Sequence, residues 1–244
     1  LGTQVSSISS SDLLADFKVA IQAKKLIQVA ITPVNSILAA YKNPQVQNAY
    51  NAADYVLCDG MPVKWASTFL NTPIVERITG LDLLPSLVAF AANESFTLFL
   101  LGASPGVGEK LKEVILQQYP NCKIVGIYVP PFMPVFDTAE NKKMVDAVNA
   151  AAPDIVLISL TAPKQDLWIT QNKAQLHPAL YVGIGGAFEV TAGLINRAPL
   201  WMQKAGLEWF YRFTQEPKRM FKRYFIEAPI FIPLVILQKI KGGR

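Results

Sequence analysis

One aspartate of this sequence stands where a carboxylate can do chemistry. Residues 55–58, YVLC, are apolar and partly β-branched, as a buried strand requires. The pair Asp59-Gly60 then breaks the strand, and Pro62 suits the first turn of a following helix. Because ligands of open α/β sheets bind at the carboxyl ends of strands, a half-buried Asp59 is a candidate general base. The alternative is that Asp59 only caps the helix.

Other polar or glycine-rich turns also follow predicted strands. They are Thr32 to Asn35, the turn 102–108 with Gly102 and Ser104, the segment ending at Gln165, and Gly185-Gly186. Such turns meet at one rim of a parallel sheet, so together they predict a site. The turn 102–108 offers N–H groups to a phosphate, although many such turns need glycine for shape only. Its spacing matches neither a Walker loop nor the dinucleotide fingerprint. Paired glycines at 185–186 let a ligand approach the backbone closely.

Two charged side chains near these turns each have two interpretations. Arg77 is either a fork-shaped donor for a phosphate or carboxylate, or a partner in a surface ion pair with Glu76 or Asp82. Glu189 either accepts hydrogen bonds from a ribose or a base edge, or is a helix-start carboxylate facing solvent. The residues alone leave both pairs of alternatives open.

The order of apolar segments predicts an α/β fold. Strands alternate with helices from about residue 26 to 190, the pattern of a parallel, Rossmann-like sheet with helices on both faces. The chain has 244 residues, of which 51% are hydrophobic and 17% charged, enough for one domain with an appendage. No run of about 20 uncharged apolar residues occurs, so we expect no transmembrane helix. No signal peptide is visible.

The cysteines and the histidine do not predict a metal site. Cys58 and Cys122 both flank apolar strands, outside any metal-ligand spacing, and we expect them to be buried, reduced thiols. The single histidine, His177, precedes a proline in a predicted loop. One histidine cannot build a histidine-based metal site.

The last fifth of the chain differs in character. It holds most of the excess positive charge behind the net charge of +5, and it is rich in aromatic residues. We therefore divide the chain into a core, 1–196, and a helical, membrane-associating appendage, 197–244. The alternative is an ordinary amphipathic helix with solvated cations. Basic and aromatic stretches also bind nucleic acid, but no recognised module is present, and we expect no nucleic-acid partner.

Three arginines of the appendage are candidates for binding an anion. Arg212, Arg219 and Arg223 are seven and four residues apart and share a face if one helix carries them, although Pro217 is expected to weaken that continuity. The apolar run 226–240 is too short to span a bilayer, and we expect its two prolines, Pro229 and Pro233, to break it.

Seven blocks in this order resemble the WecG/TagA/CpsF family of bacterial glycosyltransferases, and they cover nearly the whole chain, from about Val29 to Tyr224. The blocks are TPVNS at 32–36, ADYVLCDGMPVKWAS at 53–67, ERITGLDLLP at 76–85, LLGASPGVGEKL at 100–111, PDIVLISLTAPKQDLWI at 153–169, GIGGAFEVTAG at 183–193 and the stretch 197–224. The last block is the most distinctive of the seven.

The resemblance implies an inverting, UDP-sugar-dependent transferase. Such an enzyme moves a hexose or N-acetylhexosamine to a polyprenyl-diphosphate-linked saccharide in cell-surface or exopolysaccharide biosynthesis, peripheral on the cytoplasmic face of the plasma membrane. It implies that Asp59 takes the proton of the acceptor hydroxyl, with Thr32, Arg77 and Gln165 in the same pocket. We expect no metal and no cofactor beyond the donor substrate, and a homo-oligomer is compatible with the sequence.

With this resemblance, the remaining polar turns become candidates for substrate binding. We expect the UDP-sugar to contact Asn35, Gly102, Ser104, Gly185, Gly186 and Glu189, and the lipid diphosphate to contact Arg212, Arg219 and Arg223. The sequence departs from the family pattern at three positions. Val34 stands where Asn is usual, with Asn35 next, Asp166 replaces a Glu, and Glu189 replaces an Asp. The alternative function is a non-catalytic nucleotide-sugar-binding protein peripheral to the membrane, and an NAD-type oxidoreductase would need a dinucleotide fingerprint that is not present.

Overall fold

Six parallel strands form one sheet at the centre of the molecule. The computed structural model describes residues 1–242, without the side chains of Lys204 and Arg219. The strands are β1 Ile27–Thr32, β2 Tyr55–Cys58, β3 Thr97–Gly102, β4 Lys123–Tyr128, β5 Ile155–Ser159 and β6 Leu180–Gly183. Their order across the sheet is β2-β1-β6-β5-β3-β4, and every pairing is parallel. The predicted parallel α/β sheet is confirmed.

Helices connect these strands and continue to the end of the described chain. They are α1 Ser10–Gln22, α2 Val34–Lys42, α3 Pro44–Asn51, α4 Met61–Phe69, α5 Gly80–Glu94, α6 Val107–Gln118, α7 Thr138–Ala151, α8 Lys164–Asn172, α9 Ala187–Thr191, α10 Leu200–Lys204, α11 Glu208–Gln215, α12 Pro217–Phe221 and α13 Ala228–Ile240. A π-helical turn, Lys222–Glu227, joins α12 to α13.

Both faces of the sheet are covered, because successive strand residues point to opposite sides. On β3, Leu98 and Leu100 pack in the larger core cluster with α1, α5, α6 and α9. Phe99 and Leu101 of the same strand pack in a second cluster with α7 and α8. The two layers explain why the strands read as nearly continuous apolar runs rather than as alternating ones. Helices on both faces were predicted from the sequence, and this is confirmed.

The C-terminal helix α13 differs from the sequence prediction. Pro229 and Pro233 do not break it, and the helix is continuous from Ala228 to Ile240. Pro229 lies in the first turn, where its missing N–H costs nothing. Phe231 and Val235 are buried in a core cluster that includes Ile37 of α2. We attribute the continuity of the helix past Pro233 to this burial, which outweighs the cost of one interior proline.

Pro217 does interrupt the helical path, as the sequence suggested. Helix α11 ends at Gln215, and Pro217 is the first residue of α12. Arg212 and Arg223 therefore lie on different segments rather than on one continuous helix face. Within residues 1–242, no helix combines the length and the apolar character needed to cross a bilayer.

Candidate active site

A cleft of about 570 Å³ opens at the carboxyl edge of the sheet. One wall consists of the turns that follow β1, β2, β5 and β6, and the other wall comes from the helices that begin at residue 200. Eight sequence-predicted site residues line it: Asn35, Asp59, Arg77, Gln165, Gly185, Gly186, Arg212 and Arg223. The convergence follows from the parallel sheet, since parallel strands bring their carboxyl ends to one edge.

Asp59 is held at the end of β2 by backbone contacts on both sides. Its N–H donates to Thr32 O at 3.4 Å, and Ile78 N donates to Cys58 O at 3.0 Å. Helix α4 begins at Met61, and its N-cap is Gly60, which makes no side-chain capping bond. Asp59 therefore does not cap the helix, and its half-buried carboxyl group lines the cleft.

The surroundings of Asp59 raise the pKa of its carboxyl group above the usual value. Burial is the largest cause, and the negative charges of Glu208 and Asp82 act in the same direction. Arg223 and Arg77 oppose this shift because they stabilise the charged form. An aspartate with a raised pKa accepts a proton more readily than an exposed one, which is what a general base requires.

Arg77 combines the two interpretations that the sequence left open. Its Nη2 lies 3.8 Å from Asp82 Oδ2 in an ion pair, and its side chain also lines the cleft. Glu76 is engaged elsewhere, because it accepts hydrogen bonds from Ser10 N and Ser10 Oγ, both at 2.7 Å. Arg77 is thus oriented by Asp82 while it faces the cavity.

Gln165 is fixed by the backbone of the glycine turn. Its side chain is 1% exposed, and its Oε1 accepts a hydrogen bond from Gly185 N at 3.2 Å. Gly185 has φ +56°, a left-handed conformation that favours glycine. A Cβ on Gly183 would lie 2.6 Å from Gln165 Nε2, so glycine there leaves room for the amide in this position. The turn after β6 therefore sets the position of the amide at the base of the cleft.

Asn35 lines the cleft and carries a buried acceptor atom. Its Oδ1 is buried and, within the described part of the chain, has no hydrogen-bond partner. Buried polar atoms are nearly always paired, so an unpaired one at a cavity wall indicates a place for a ligand or a water molecule.

Four predicted residues are not among those that line the cleft. Thr32 is fully buried, and its hydroxyl donates to Leu57 O at 3.0 Å. Gly102 has φ +101°, and a Cβ there would lie 2.5 Å from Ser159 O, so its glycine is needed for shape. Ser104 follows in the same turn. Glu189 lies on α9, and its Oε2 would be 3.8 Å from a Cβ built on Gly186. That oxygen is buried without a hydrogen-bond partner among residues 1–242. Their predicted roles stay predictions.

Two arginines of the C-terminal helices reach the cleft. Arg212 on α11 extends across to the glycine turn, since a Cβ built on Gly186 would lie 3.2 Å from Arg212 Nη2. Its Nε also lies 3.7 Å from Glu216 Oε2. Arg223, like Arg77, carries a positive charge that lowers the pKa of Asp59. The side chain of Arg219, the third predicted arginine, lies outside what the structure describes.

Several residues of this site are not predicted by the sequence patterns. Glu208, Trp209 and Tyr224 line the cleft from the C-terminal helices, and Arg197 pairs with Glu208 beside it. Glu208 had one usable signal, because it is the only acidic residue between 197 and 215.

No three His, Cys, Asp or Glu side chains form a metal-binding group within the described part of the chain. Cys58 and Cys122 are free and buried, as predicted.

Comparison with known proteins identifies the family of this chain. The profile of the glycosyl transferase WecG/TagA/CpsF family matches residues 1–244. The chain is 29% identical over 197 residues to the N-acetylglucosaminyldiphosphoundecaprenol N-acetyl-beta-D-mannosaminyltransferase of Bacillus spizizenii, covering 81% of this chain and 74% of that protein. It is 30% identical over 217 residues to the protein of the same name from Staphylococcus aureus strain MRSA252, covering 85% of this chain and 82% of that protein. The chain therefore belongs to the WecG/TagA/CpsF family and is a glycosyltransferase.

Proposed function

We propose that this glycosyltransferase moves a hexose or N-acetylhexosamine from a UDP-sugar to a polyprenyl-diphosphate-linked saccharide, with inversion at the anomeric carbon. The acceptor class follows from the names of the relatives, which act on a diphosphoundecaprenol-linked N-acetylglucosamine. The single observation that carries the proposal is the position of Asp59. Its carboxyl group lines a cleft with a glycine turn on one side and two arginines from the C-terminal helices on the other.

In the proposed reaction, Asp59 acts as the general base. It takes the proton of the acceptor hydroxyl as that oxygen attacks the anomeric carbon, and the bond from that carbon to the UDP oxygen breaks on the opposite face. The raised pKa of Asp59 favours this proton transfer. Gln165 and Asn35 present amide groups that fit the donor sugar or its nucleotide.

The charge of the leaving UDP needs compensation, and we assign this task to protein cations and backbone N–H groups rather than to a metal. We assign the donor diphosphate to Arg77 and to the glycine turn at Gly185 and Gly186, which line the same cleft. We assign the lipid diphosphate to Arg212 and Arg223, which line the cleft. Arg219 stays a predicted third contact from the sequence. A chelator is therefore expected to leave turnover unchanged.

We also propose that the enzyme works as a peripheral protein on the inner face of the plasma membrane. The lipid-linked acceptor requires contact with a membrane surface. The exposed apolar side chains Ile226, Ile232, Ile236 and Ile240 lie on the C-terminal segments, near lysines and arginines of the same region. Apolar residues beside cations are typical of a helix that lies in a membrane interface.

The decisive experiment measures UDP release by the Asp59→Asn variant with a synthetic lipid-diphosphate acceptor and a panel of UDP-sugars. Loss of the base should lower turnover by about 10²- to 10⁴-fold while UDP binding remains. Asp146→Asn is the matched control, because Asp146 is exposed and only pairs with Lys142 on the surface. Normal turnover by Asp59→Asn would exclude Asp59 as the base. UDP binding by the wild type without UDP release, for every donor and acceptor, would indicate the non-catalytic alternative.

A further inference from the structure

Arg197 connects the core of the protein to the helices that cover the cleft. It lies in the loop between α9 and α10. Its Nη2 donates to Asp82 Oδ1 at 2.5 Å, and its Nη1 donates to Leu81 O at 3.3 Å, both in the first turn of α5. Its Nε donates to Glu208 Oε1, at the start of α11, at 2.9 Å. One guanidinium therefore ties three segments of the chain together.

Asp82 connects Arg197 to Arg77, which lines the cleft. Its Oδ1 binds Arg197, while its Oδ2 accepts a hydrogen bond from Thr79 Oγ1 at 2.7 Å and lies 3.8 Å from Arg77 Nη2. Each oxygen of this carboxylate thus faces a different arginine. Arg77, which lines the cleft, and Arg197, which anchors the C-terminal helices, therefore share Asp82 as a partner.

Glu208 connects Arg197 to α11, the helix that carries Arg212. It is the first residue of α11, and Arg212 lies one helical turn later on the same face. Both side chains line the cleft. A contact that fixes Glu208 therefore also fixes the helix face from which Arg212 reaches Gly186.

We propose that Arg197 is a positioning residue for the transfer reaction. Its guanidinium holds α11 over the cleft and forms ion pairs with Asp82 and Glu208, the two carboxylates that act on Asp59. This inference rests on the proposed function, since it concerns the same cleft. Arg197 is not among the residues that line the cleft, and it acts on the reaction through Asp82 and Glu208.

The charges around Asp59 show why the pairing matters. Glu208 and Asp82 raise the pKa of Asp59, after burial, while Arg223 and Arg77 lower it. Asp59 in turn raises the pKa of its neighbour Cys58 and of Tyr224. Without Arg197, the two carboxylates lose a shared cation and repel the charged form of Asp59 more strongly. The negative charge that Arg197 no longer balances would also repel an incoming diphosphate.

The test compares Arg197→Gln with Arg197→Lys and with the double variant Arg197→Gln/Glu208→Gln. Arg197→Gln should lower kcat/KM by roughly a hundredfold, because α11 is no longer held in register with the cleft. The acid limb of its pH profile should move to higher pH. The double variant should return the acid limb toward the wild-type position, because the negative charge of Glu208, which raises the pKa of Asp59, is gone. Lysine keeps the charge but lacks the fork, so Arg197→Lys should keep the acid limb in place.

A second measurement needs no substrate. Hydrogen exchange of the amides in residues 200–216 should be faster in both Arg197 variants, by about tenfold or more. Lys18→Gln is the matched control, because Lys18 also anchors α5 through an ion pair, at 2.7 Å from Glu94 Oε2, but at the end away from Arg197. It should change neither the pH profile nor the exchange of residues 200–216.

An unmoved acid limb in Arg197→Gln, or a limb that removal of Glu208 does not restore, would overturn the electrostatic role. Unchanged exchange in residues 200–216 would overturn the holding role. If Arg197→Gln does not fold, Arg197→Lys still tests the holding role through exchange. A wild-type protein that transfers no sugar would remove the proposed function, whereas the exchange measurement would still decide whether Arg197 holds α11.

Discussion

The Oε1 of Gln165 accepts its hydrogen bond from the backbone N–H of Gly185, at 3.2 Å, across the base of the cleft. This hydrogen bond connects the segments that follow two neighbouring strands. Gln165 lies in the first turn of α8, after β5, and Gly185 lies in the turn after β6. The bond fixes which end of the amide faces the glycine turn. The position of Gln165 therefore depends on the shape of the backbone at residues 183–186.

We predict that Gly183→Ala lowers turnover through Gln165. The new Cβ would lie 2.6 Å from Gln165 Nε2 and 3.1 Å from Asp166 Oδ1, so the buried amide has to move. A displacement of this size should cost roughly tenfold to a hundredfold in kcat/KM. Gln165→Ala should cost a similar factor, and the double variant should lose little more, because both changes remove the same contact.

Gly126→Ala is the control for overpacking. A Cβ there would lie 2.4 Å from Phe99 Cε2, a clash as severe but on the edge strand β4, away from the cleft. This variant should melt at a lower temperature with kcat/KM unchanged. Additive losses of kcat/KM in Gly183→Ala/Gln165→Ala would contradict the proposed coupling.

We predict that Asp59→Asn makes the protein more stable at neutral pH. In the folded protein the pKa of Asp59 is raised from 3.8, mainly by burial. Between the unfolded and folded pKa values the native state holds the proton more tightly, so the stability contributed by this group falls as pH rises. Asparagine removes that charge and its desolvation. The melting temperature of the variant should exceed that of the wild type near pH 7.5, and the difference should shrink near pH 4.

A lower melting temperature for Asp59→Asn at neutral pH would mean that the positive charges of Arg223 and Arg77 stabilise the Asp59 carboxylate by more than burial destabilises it. Asp146→Asn again serves as the control, since its carboxylate is exposed and pairs only within α7. Stability gained on loss of a catalytic charge is common at active sites.

Much of the fold follows from local sequence patterns, and Asp59 shows why. The apolar run 55–58, the Asp-Gly break and Pro62 each depend on neighbouring residues, so they predict the end of β2 and the start of α4 correctly. The meeting of Asp59, Gln165 and Gly185 follows from the parallel-sheet rule alone. The turn after β3 does not join them, because the sheet order places β3 beyond β5, and strand order is not a local property.

Contacts between distant segments could not be predicted in this way. Arg197 and Asp82 are 115 residues apart in the sequence, and neither segment contains a pattern that predicts their contact. Helix α13 continues past Pro233, where local propensity predicts a break, and Phe231 is buried against α2 and α4. In both cases the deciding interaction is tertiary.

We predict that Asp166 makes stability depend on pH in the neutral range. Burial raises the pKa of this carboxyl group from 3.8 to about 8, against the hydrogen bond from Tyr50 Oη, which lowers it. Asp166 is fully buried, and its Oδ1 has no hydrogen-bond partner within residues 1–242. Because the native state holds this proton up to about pH 8, its contribution to stability falls as pH rises from about 4 to 8.

Urea unfolding at about pH 5, 6.5 and 8 measures this dependence. The free energy of unfolding of the wild type should fall across that range, and Asp166→Asn should flatten the curve, because an amide carries no titrating proton. The slope that remains should belong to Asp59 and to other groups. An identical slope in the wild type and in Asp166→Asn would show that Asp166 is ionised in the folded protein at all three pH values.

The last prediction concerns the two faces of α13. Phe231 and Val235 are buried in the core, whereas Ile232, Ile236 and Ile240 follow one another at helical spacing on the exposed side. The helix is thus apolar on both faces, and only one of them is covered by the described chain. Replacing the three exposed isoleucines by serine should weaken binding to vesicles of phosphatidylglycerol and phosphatidylethanolamine by about tenfold or more, since each loses apolar burial.

The melting temperature of the triple serine variant should stay close to that of the wild type, because the buried face of α13 is untouched. Val19→Ser is the control, since Val19 is exposed on α1, outside the appendage. Truncating the appendage would test membrane binding less cleanly, because it also removes Phe231 and Val235 from the core. High salt should weaken vesicle binding of the wild type only in part, since screening acts on the cations and not on apolar burial. Full vesicle binding by the triple variant at high salt would mean that another surface makes the membrane contact.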